Sequence, residues 1–129
     1  MSQTLDAVHA LYAALELGQP RPELFTEDAR TLEHPNAIKP RGAQASLAEM
    51  MAAAQKGKEL LSSQRYEVRS AIEHGDTAIV RLRWTGVIAK DAGPFRQGQV
   101  LTAHIAQFIE TRGGKVASIE TYDCYEPFG

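Results

Sequence analysis

The chain has 129 residues and a net charge of −2, and 43% of its residues are hydrophobic, which is enough for one compact domain with a buried core. It has no basic block and no apolar run of membrane-spanning length, so nucleic-acid and membrane binding are not favoured. The single cysteine, Cys124, excludes an internal disulfide, and the N-terminus lacks a signal-peptide pattern. We therefore expect a reduced, cytoplasmic location.

The first part of the chain predicts one helix, a short helical turn and a short strand. Apolar residues repeat at helical spacing over about residues 4–17, and Gly18 suits the end of that helix. Residues 22–25 suit one helical turn that begins with proline. Arg30 to His34 reads as a short strand that Pro35 ends, and a loop over residues 35–42 follows.

A second helix is predicted over about residues 43–56, with an apolar stripe that includes Leu47, Met50 and Met51. Ser46 and Glu49 have the spacing of a capping box, which would start a helix at residue 47. The alanines before them favour the earlier start, and we expect the helix to begin near Ala43.

From residue 65 onward the hydrophobic pattern has a period of two, which is typical of strands. The predicted strands cover residues 65–73, 79–85, about 98–110 and 115–125, with turns at 74–76 and 112–114. Helices followed by an antiparallel meander predict a single α+β domain over residues 1–129, in which two helices cover a strongly curved sheet. The curved sheet would hold an apolar ligand pocket. Leu101, Ile105 and Ile109 would lie on its other face, so we expect a homodimer through the outer sheet face.

Four segments carry a resemblance to a known family: residues 11–18 (LYAALELG), 25–35 (FTEDARTLEHP), 41–42 (RG) and 114–123 (GKVASIETYD). In their order and spacing they resemble the NTF2-like superfamily, and within it the SnoaL-like polyketide cyclases and ketosteroid isomerases. The resemblance implies a cone-shaped α+β barrel with a deep apolar pocket, usually in a dimer.

The resemblance also suggests site residues. The aspartate base of the ketosteroid isomerases matches His34, and Tyr12 lies one position away from the register of their tyrosine. Their neutral aspartic acid is replaced by Ala106, which disfavours steroid isomerisation by that mechanism. Asp123 resembles the acid/base aspartate near the end of the last strand in SnoaL-like cyclases.

Alternate residues of a strand face opposite sides of the sheet, and the resemblance to the family indicates which alternate set lies on the concave face. His34, His104 and Asp123 are the catalytic candidates, because imidazole and a desolvated carboxyl both exchange protons near neutral pH. Glu33 alternates away from His34 and is expected to face water or a surface partner. The candidate ligand-binding residues are Tyr12, Trp84, Phe108, Thr121 and Tyr125, and the remaining concave residues are Val80, Leu82, Ala106 and Ile119. Each candidate also has a purely structural interpretation. Asp123 and His34 could be solvated strand ends, and His104 and the aromatic residues could belong to the core.

Two functional hypotheses remain. The first is an isomerase, cyclase or dehydratase without cofactor, in which His34 or Asp123 removes a proton next to a carbonyl and Tyr12 or Tyr125 donates a hydrogen bond. The second is a non-catalytic protein that binds an apolar or aromatic small molecule. The four histidines lack ligand spacing, so no metal is predicted, and no phosphate-binding loop is present. Convergence of His34, His104 and Asp123 on one cavity would favour catalysis, whereas scattered or solvated positions would favour binding without catalysis.

Overall fold

The computed structural model describes residues 2–19 and 21–128, which form two α-helices, one 3₁₀ turn and six strands. In that part of the chain, no helix is long and apolar enough to cross a membrane. The elements are α1 (Gln3–Glu16), the 3₁₀ turn (Pro22–Leu24), β1 (Phe25–Glu33), β2 (Ala43–Ser46), α2 (Leu47–Leu60), β3 (Leu61–His74), β4 (Thr77–Ile88), β5 (Val100–Arg112) and β6 (Lys115–Tyr125).

The strands form one mixed sheet in the order β2-β1-β6-β5-β4-β3. Strand β1 is parallel to β6, whereas every other neighbouring pair is antiparallel. The predicted α+β class is confirmed, and so are the bounds of the closing strand at Lys115 and Tyr125. The sheet is not closed, since β2 and β3 are its edges.

The core lies between α1 and one face of this sheet, which we call the inner face. Val8 and Leu11 of α1 are buried in one cluster with Val80 of β4, Ile109 of β5 and Val116 of β6. Burial of these side chains removes apolar surface from water, which is the main favourable contribution to folding. The opposite side of the sheet is the outer face.

The predicted parity of β5 is wrong. Ile105 lies opposite Asp123 and Gln107 lies opposite Thr121, so these β5 residues share the inner face with that side of β6. Because side chains alternate along a strand, the predicted concave residues His104, Ala106 and Phe108 lie on the outer face. Leu101, Ile105 and Ile109 are buried in the core, so they cannot form the expected dimer surface.

The predicted start of the second helix is also wrong. Residues Ala43–Ser46 form strand β2, which pairs with β1, and α2 begins at Leu47. Both halves of a capping box are present: the Ser46 hydroxyl accepts from the Glu49 backbone N–H, and Glu49 Oε1 accepts from the Ser46 backbone N–H. Pairing with β1 therefore overrides the helix propensity of the preceding alanines.

Candidate functional site

A cavity of about 320 Å³ lies between the helices α1 and α2 and the inner face of the sheet, with wall residues from β1 and β2 at one edge and from β3 at the other. This volume falls near the lower limit of pockets that hold small molecules. Most of the wall is aliphatic, although Glu33, Lys39, Gln64 and Tyr66 also contribute to it. The aliphatic wall includes Leu11, Ala14, Leu15, Met50, Met51 and Ala54.

Glu33 belongs to this wall, so the expectation that it faces water is wrong. It lies opposite Thr121 in the parallel β1–β6 pair, and its side chain is only 18% exposed. Lys39 Nζ lies 3.4 Å from Glu33 Oε1, and the Asn36 amide donates to Glu33 Oε2 at 2.8 Å. The carboxylate is thus paired with a cation and a neutral donor.

Gly42 allows the loop that carries Lys39 to close against the end of β1. Its φ is +69°, a conformation that favours glycine, and an added Cβ would clash with the backbone carbonyl of Glu33. The same loop brings Lys39 and Asn36 to the Glu33 carboxylate. Gly42 therefore helps to position the charged part of the cavity wall.

Asp123 is half-buried and shares the inner face with Thr121, as predicted. Burial raises the pKa of its carboxyl, because a charged carboxylate loses hydration there. A hydrogen bond of 2.6 Å from the Thr121 hydroxyl lowers the pKa, the negative Glu33 raises it and Lys39 lowers it, with burial as the largest effect. Asp123 is therefore a carboxyl group with increased proton affinity, electrostatically coupled to two residues of the cavity wall.

Two phenols of the inner face, Tyr66 and Tyr125, interact with the charge of Asp123. Burial raises the pKa of Tyr66 and of Tyr125, and the negative charge of Asp123 raises both further. Both side chains therefore stay neutral and can donate hydrogen bonds. Trp84 packs edge-on against Tyr125, with ring centroids 6.2 Å apart, and its indole N–H donates to Gln64 at 2.9 Å.

A chain of hydrogen bonds runs from α1 to Asp123. The Tyr12 hydroxyl donates to Gln107 Oε1 at 2.7 Å, and Gln107 Nε2 donates to Thr121 Oγ1 at 3.1 Å. The Thr121 hydroxyl then donates to Asp123 Oδ1. Burial holds the pKa of Tyr12 above its usual range, so this group also stays protonated. We call these four residues the Tyr12–Asp123 chain.

The three catalytic candidates His34, His104 and Asp123 do not converge on one cavity. His34 Nε2 lies 2.6 Å from Glu120 Oε2, and its ring stacks on Tyr122 at 4.2 Å, on the outer face. His104 Nε2 lies 2.8 Å from Glu126 Oε2, and its side chain is 58% exposed. Of these two neighbouring residues, Glu33 faces the cavity and His34 does not, because successive residues of an extended chain face opposite ways.

The predicted ligand-binding residues are divided between three environments. Thr121, Tyr125 and Trp84 share the inner face with Asp123, as predicted. Tyr12 is a buried core residue whose hydroxyl already binds Gln107. Phe108 lies on the outer face and is 40% exposed, so its predicted position is wrong.

The sequence predictions missed four polar residues near Asp123: Glu33, Lys39, Tyr66 and Gln107. A usable signal existed for Gln107. It alternates in phase with the large apolar residues Ile105 and Ile109, which burial against the helices would favour. No comparable signal identified Lys39, because its position depends on how the loop closes.

Solved structures show the same fold. The candidate polyketide cyclase IdmH from Streptomyces antibioticus is 19% identical, with a TM-score of 0.78 over 95% of this chain and 92% of that chain. A protein of ketosteroid isomerase-like fold from Catenulispora acidiphila, solved with trimethylamine, is 22% identical, with a TM-score of 0.72 over 90% and 83% of the two chains. A cystatin-fold protein from Novosphingobium aromaticivorans is 17% identical, with a TM-score of 0.75 over 95% and 98%.

These likenesses confirm the predicted NTF2-like α+β cone. A comparison with curated protein sequences gave no match. A family model described as the SnoaL-like domain matches residues 3–119, which includes both helices and the strands β1–β5. The chain therefore belongs to the SnoaL-like domain family.

Proposed function

We propose that this protein binds an apolar small molecule that carries a carbonyl group, and that Asp123 moves a proton at the carbon next to that carbonyl. One observation supports this most: an inward-facing carboxyl with a raised pKa interacts electrostatically with Glu33 and Lys39 of an apolar cavity, although the described cavity wall does not include Asp123 itself. Carboxyl groups with raised pKa values in such positions are typical of general acid–base sites. The polyketide cyclase and ketosteroid isomerase-like neighbours are consistent with this reaction class.

In the proposed reaction the Asp123 carboxylate takes the proton, and the electrons of the C–H bond move to the carbonyl oxygen as an enolate. A neutral phenol, Tyr66 or Tyr125, donates a hydrogen bond to that oxygen. Return of the proton to another carbon gives isomerisation. In dehydration a hydroxyl on the next carbon takes the proton from Asp123 and leaves as water. In cyclisation the enolate carbon attacks a second carbonyl, whose oxygen takes the proton from Asp123. The proposal includes no cofactor and no metal.

Glu33 assists this chemistry through its charge. Lys39 and Asn36 hold the Glu33 carboxylate, whose negative charge favours the protonated form of Asp123. Two neighbouring carboxyl groups in different environments take different proton affinities. Asp123 would then exchange the proton while Glu33 stays paired.

The test uses 2-tetralone, a small bicyclic ketone with acidic protons next to its carbonyl. Its exchange of hydrogen for deuterium in heavy water, followed by proton NMR, should be accelerated by the wild-type protein. Asp123→Asn should lose at least about 100-fold of that acceleration, as expected for removal of a general base. Ala54→Leu should block the cavity and reduce exchange, whereas Glu120→Gln on the outer face is the matched carboxylate control.

The second candidate function is binding without catalysis. The positions of His34 and His104 on the outer face favour it, because neither imidazole can share a reacting centre with Asp123. Saturable binding of 2-tetralone in a thermal-shift titration, lost in Ala54→Leu but without accelerated exchange, would support this function and exclude the first for that ligand.

We also propose that two copies pair through the outer face, in the cytoplasmic location predicted from the composition. Phe108 and Tyr122 form an exposed edge-to-face aromatic pair there, with centroids 6.0 Å apart. Arg83 also lies on this face. Its Nε is buried without a hydrogen-bond partner, the one such side-chain nitrogen or oxygen among the described residues. Arginines and glutamates on one face suit a two-fold interface, in which each copy supplies both charges.

A further inference from the structure

We propose that Gln107 is a positioning residue: it makes the Thr121 hydroxyl donate to Asp123 Oδ1, and so leaves Oδ2 as the oxygen that takes and returns the substrate proton. This inference rests on the proposed function of Asp123 and adds to it the residue that orients the carboxyl.

The direction of the Tyr12–Asp123 chain is determined at the Tyr12 end. Tyr12 is 4% exposed, and its ring stacks on Tyr66 with centroids 5.3 Å apart and an interplanar angle of 13°. Burial, assisted by the Tyr66 phenol, raises the pKa of Tyr12, so the group keeps its proton. In the part of the chain that the structure describes, the hydrogen bond of the Tyr12 hydroxyl is to Gln107, and donation of its proton there to the amide oxygen Oε1, at 2.7 Å, sets the direction.

The orientation of the Gln107 amide then determines the role of Thr121. With Oε1 bound to Tyr12, Nε2 faces Thr121 and donates to its hydroxyl oxygen at 3.1 Å. A threonine hydroxyl has one hydrogen, and here it is directed to Asp123 Oδ1 at 2.6 Å. The opposite amide orientation would offer an oxygen to Thr121 and compete for that hydrogen.

The two carboxylate oxygens of Asp123 thus differ. Among the residues that the structure describes, the side-chain hydrogen bond to Asp123 reaches Oδ1, and Oδ2 remains for a ligand. A hydrogen bond to the ionised form favours that form, so the chain counteracts part of the effect of burial. The carboxyl is then ready to accept a proton at Oδ2.

Other groups also act on Asp123, and the experiment must separate them from the chain. The charged and titratable groups that face it are Glu33 of β1, Lys39 of the following loop, Tyr66 of β3 and Tyr125 of β6. Substitutions at Thr121 and Gln107 leave these four residues in place. A change in the titration of Asp123 then reports on the chain.

The readout is the carbon-13 NMR titration of the Asp123 side-chain carboxyl, assigned by its loss in Asp123→Asn. Thr121→Val keeps the shape of the side chain and removes the hydroxyl that donates to the Asp123 carboxylate. The pKa of Asp123 should therefore rise, which corresponds to a roughly tenfold smaller acid dissociation constant. Thr121→Ser keeps the donor and should titrate like wild type. An unchanged titration in Thr121→Val would overturn the inference.

Gln107→Glu tests the positioning role itself. A carboxylate at 107 accepts from both Tyr12 and Thr121, and so turns the Thr121 hydroxyl away from Asp123. The added charge also raises the pKa of Asp123, and a double-mutant cycle with Thr121→Val removes this contribution. Gln107→Glu should raise the pKa more in the wild-type background than in Thr121→Val. Equal increases in both backgrounds would refute the role of Gln107.

The 2-tetralone assay separates this inference from the proposed function. The exchange rate should increase with pH as Asp123 ionises. In Thr121→Val and in Gln107→Glu this increase should occur at higher pH than in wild type. The ketone concentration that gives half-saturation should change little. If wild type accelerates exchange but the double-mutant cycle shows no coupling between Gln107 and Thr121 in the pKa of Asp123, only the proposed role of Gln107 is refuted. If the cycle shows this coupling but wild type does not accelerate hydrogen exchange of 2-tetralone, the catalytic function is refuted and the orientation of Asp123 is confirmed.

Discussion

Asp123 and Glu120 lie three residues apart on β6, yet they occupy opposite faces of the sheet and differ in every property relevant to acid–base chemistry. Burial on the inner face raises the pKa of Asp123. On the outer face, hydrogen bonds from His34 and then Tyr122 lower the pKa of the exposed Glu120. A carboxyl whose charge is stabilised by an exposed partner is a poor proton acceptor, whereas a partly desolvated one is a better acceptor.

The face of the sheet on which a carboxyl lies therefore determines its acid–base chemistry in this protein. The outer carboxylates Glu120 and Glu126 each have a histidine partner, while Asp123 has a threonine hydroxyl and neighbouring phenols. A histidine–carboxylate pair is therefore a marker of the outer face in this protein.

Neighbouring residues of β5 should differ most in their effect on stability. Ile109 is 0% exposed and packs in the core, so Ile109→Ala should lower the free energy of unfolding by about 2–5 kcal/mol. Phe108→Ala on the outer face should lower it by less than about 1 kcal/mol. Urea denaturation of both variants measures the difference, and a larger loss for Phe108→Ala would reverse the assignment of the two faces.

A charge at Phe108 should prevent the proposed pairing of two copies. Wild type should scatter light as a particle of twice the 14.1 kDa chain mass, and Phe108→Arg as a single chain, because the arginine would lose hydration in an aromatic interface. Leu17→Arg, at an exposed position after α1, is the matched control and should leave the particle mass unchanged. A wild-type monomer at micromolar concentration would exclude the proposed dimer.

Much of the fold could be predicted because its signals are local. The period-two pattern and the Gly113–Gly114 turn set the bounds of β6, and the same pattern placed Asp123 on the face of Ile119 and Thr121. Helix α1 was predicted to within one residue at each end from apolar spacing. These features depend on residues that are close together in the sequence.

The errors arose where the structure depends on pairing between distant residues. Strand β5 has hydrophobic residues on both parities, Phe108 on one and Ile109 on the other, so its apolar pattern is a weak signal, and the register with β6 establishes which side is buried. Strand β2 forms because Ala43–Ser46 pairs with β1, a contact that short-range propensity does not contain. The side of β1 that faces the cavity likewise depends on its register with β6, in which Glu33 lies opposite Thr121.

Removing the charge at 123 or at 120 should change stability in opposite directions. Because folding raises the pKa of Asp123, the folded state binds more protons than the unfolded chain between the two pKa values, and stability falls as pH rises through that interval. Asp123→Asn should therefore be more stable than wild type at pH 7, by up to about 1 kcal/mol, and should lose this advantage at low pH.

Glu120→Gln provides the opposite sign. Its lowered pKa means that the ionised group stabilises the folded state above the ordinary carboxyl pKa, and that this contribution is lost as pH falls through the folded-state value. The variant should therefore be less stable than wild type at pH 7 and approach it in acid. Thermal unfolding across pH 3–8 measures both variants, and the same sign for both would contradict the contrast between the faces.

The outer-face histidines should be the least sensitive positions for catalysis. His34→Ala and His104→Ala remove side chains that bind Glu120 and Glu126, with no direct path to the cavity, so 2-tetralone exchange should stay within about twofold of wild type. Circular dichroism of each variant ensures that a lost rate does not reflect unfolding. A 100-fold loss in folded His34→Ala would show that chemistry reaches across the sheet, and Asp123 would then no longer suffice as the proton acceptor.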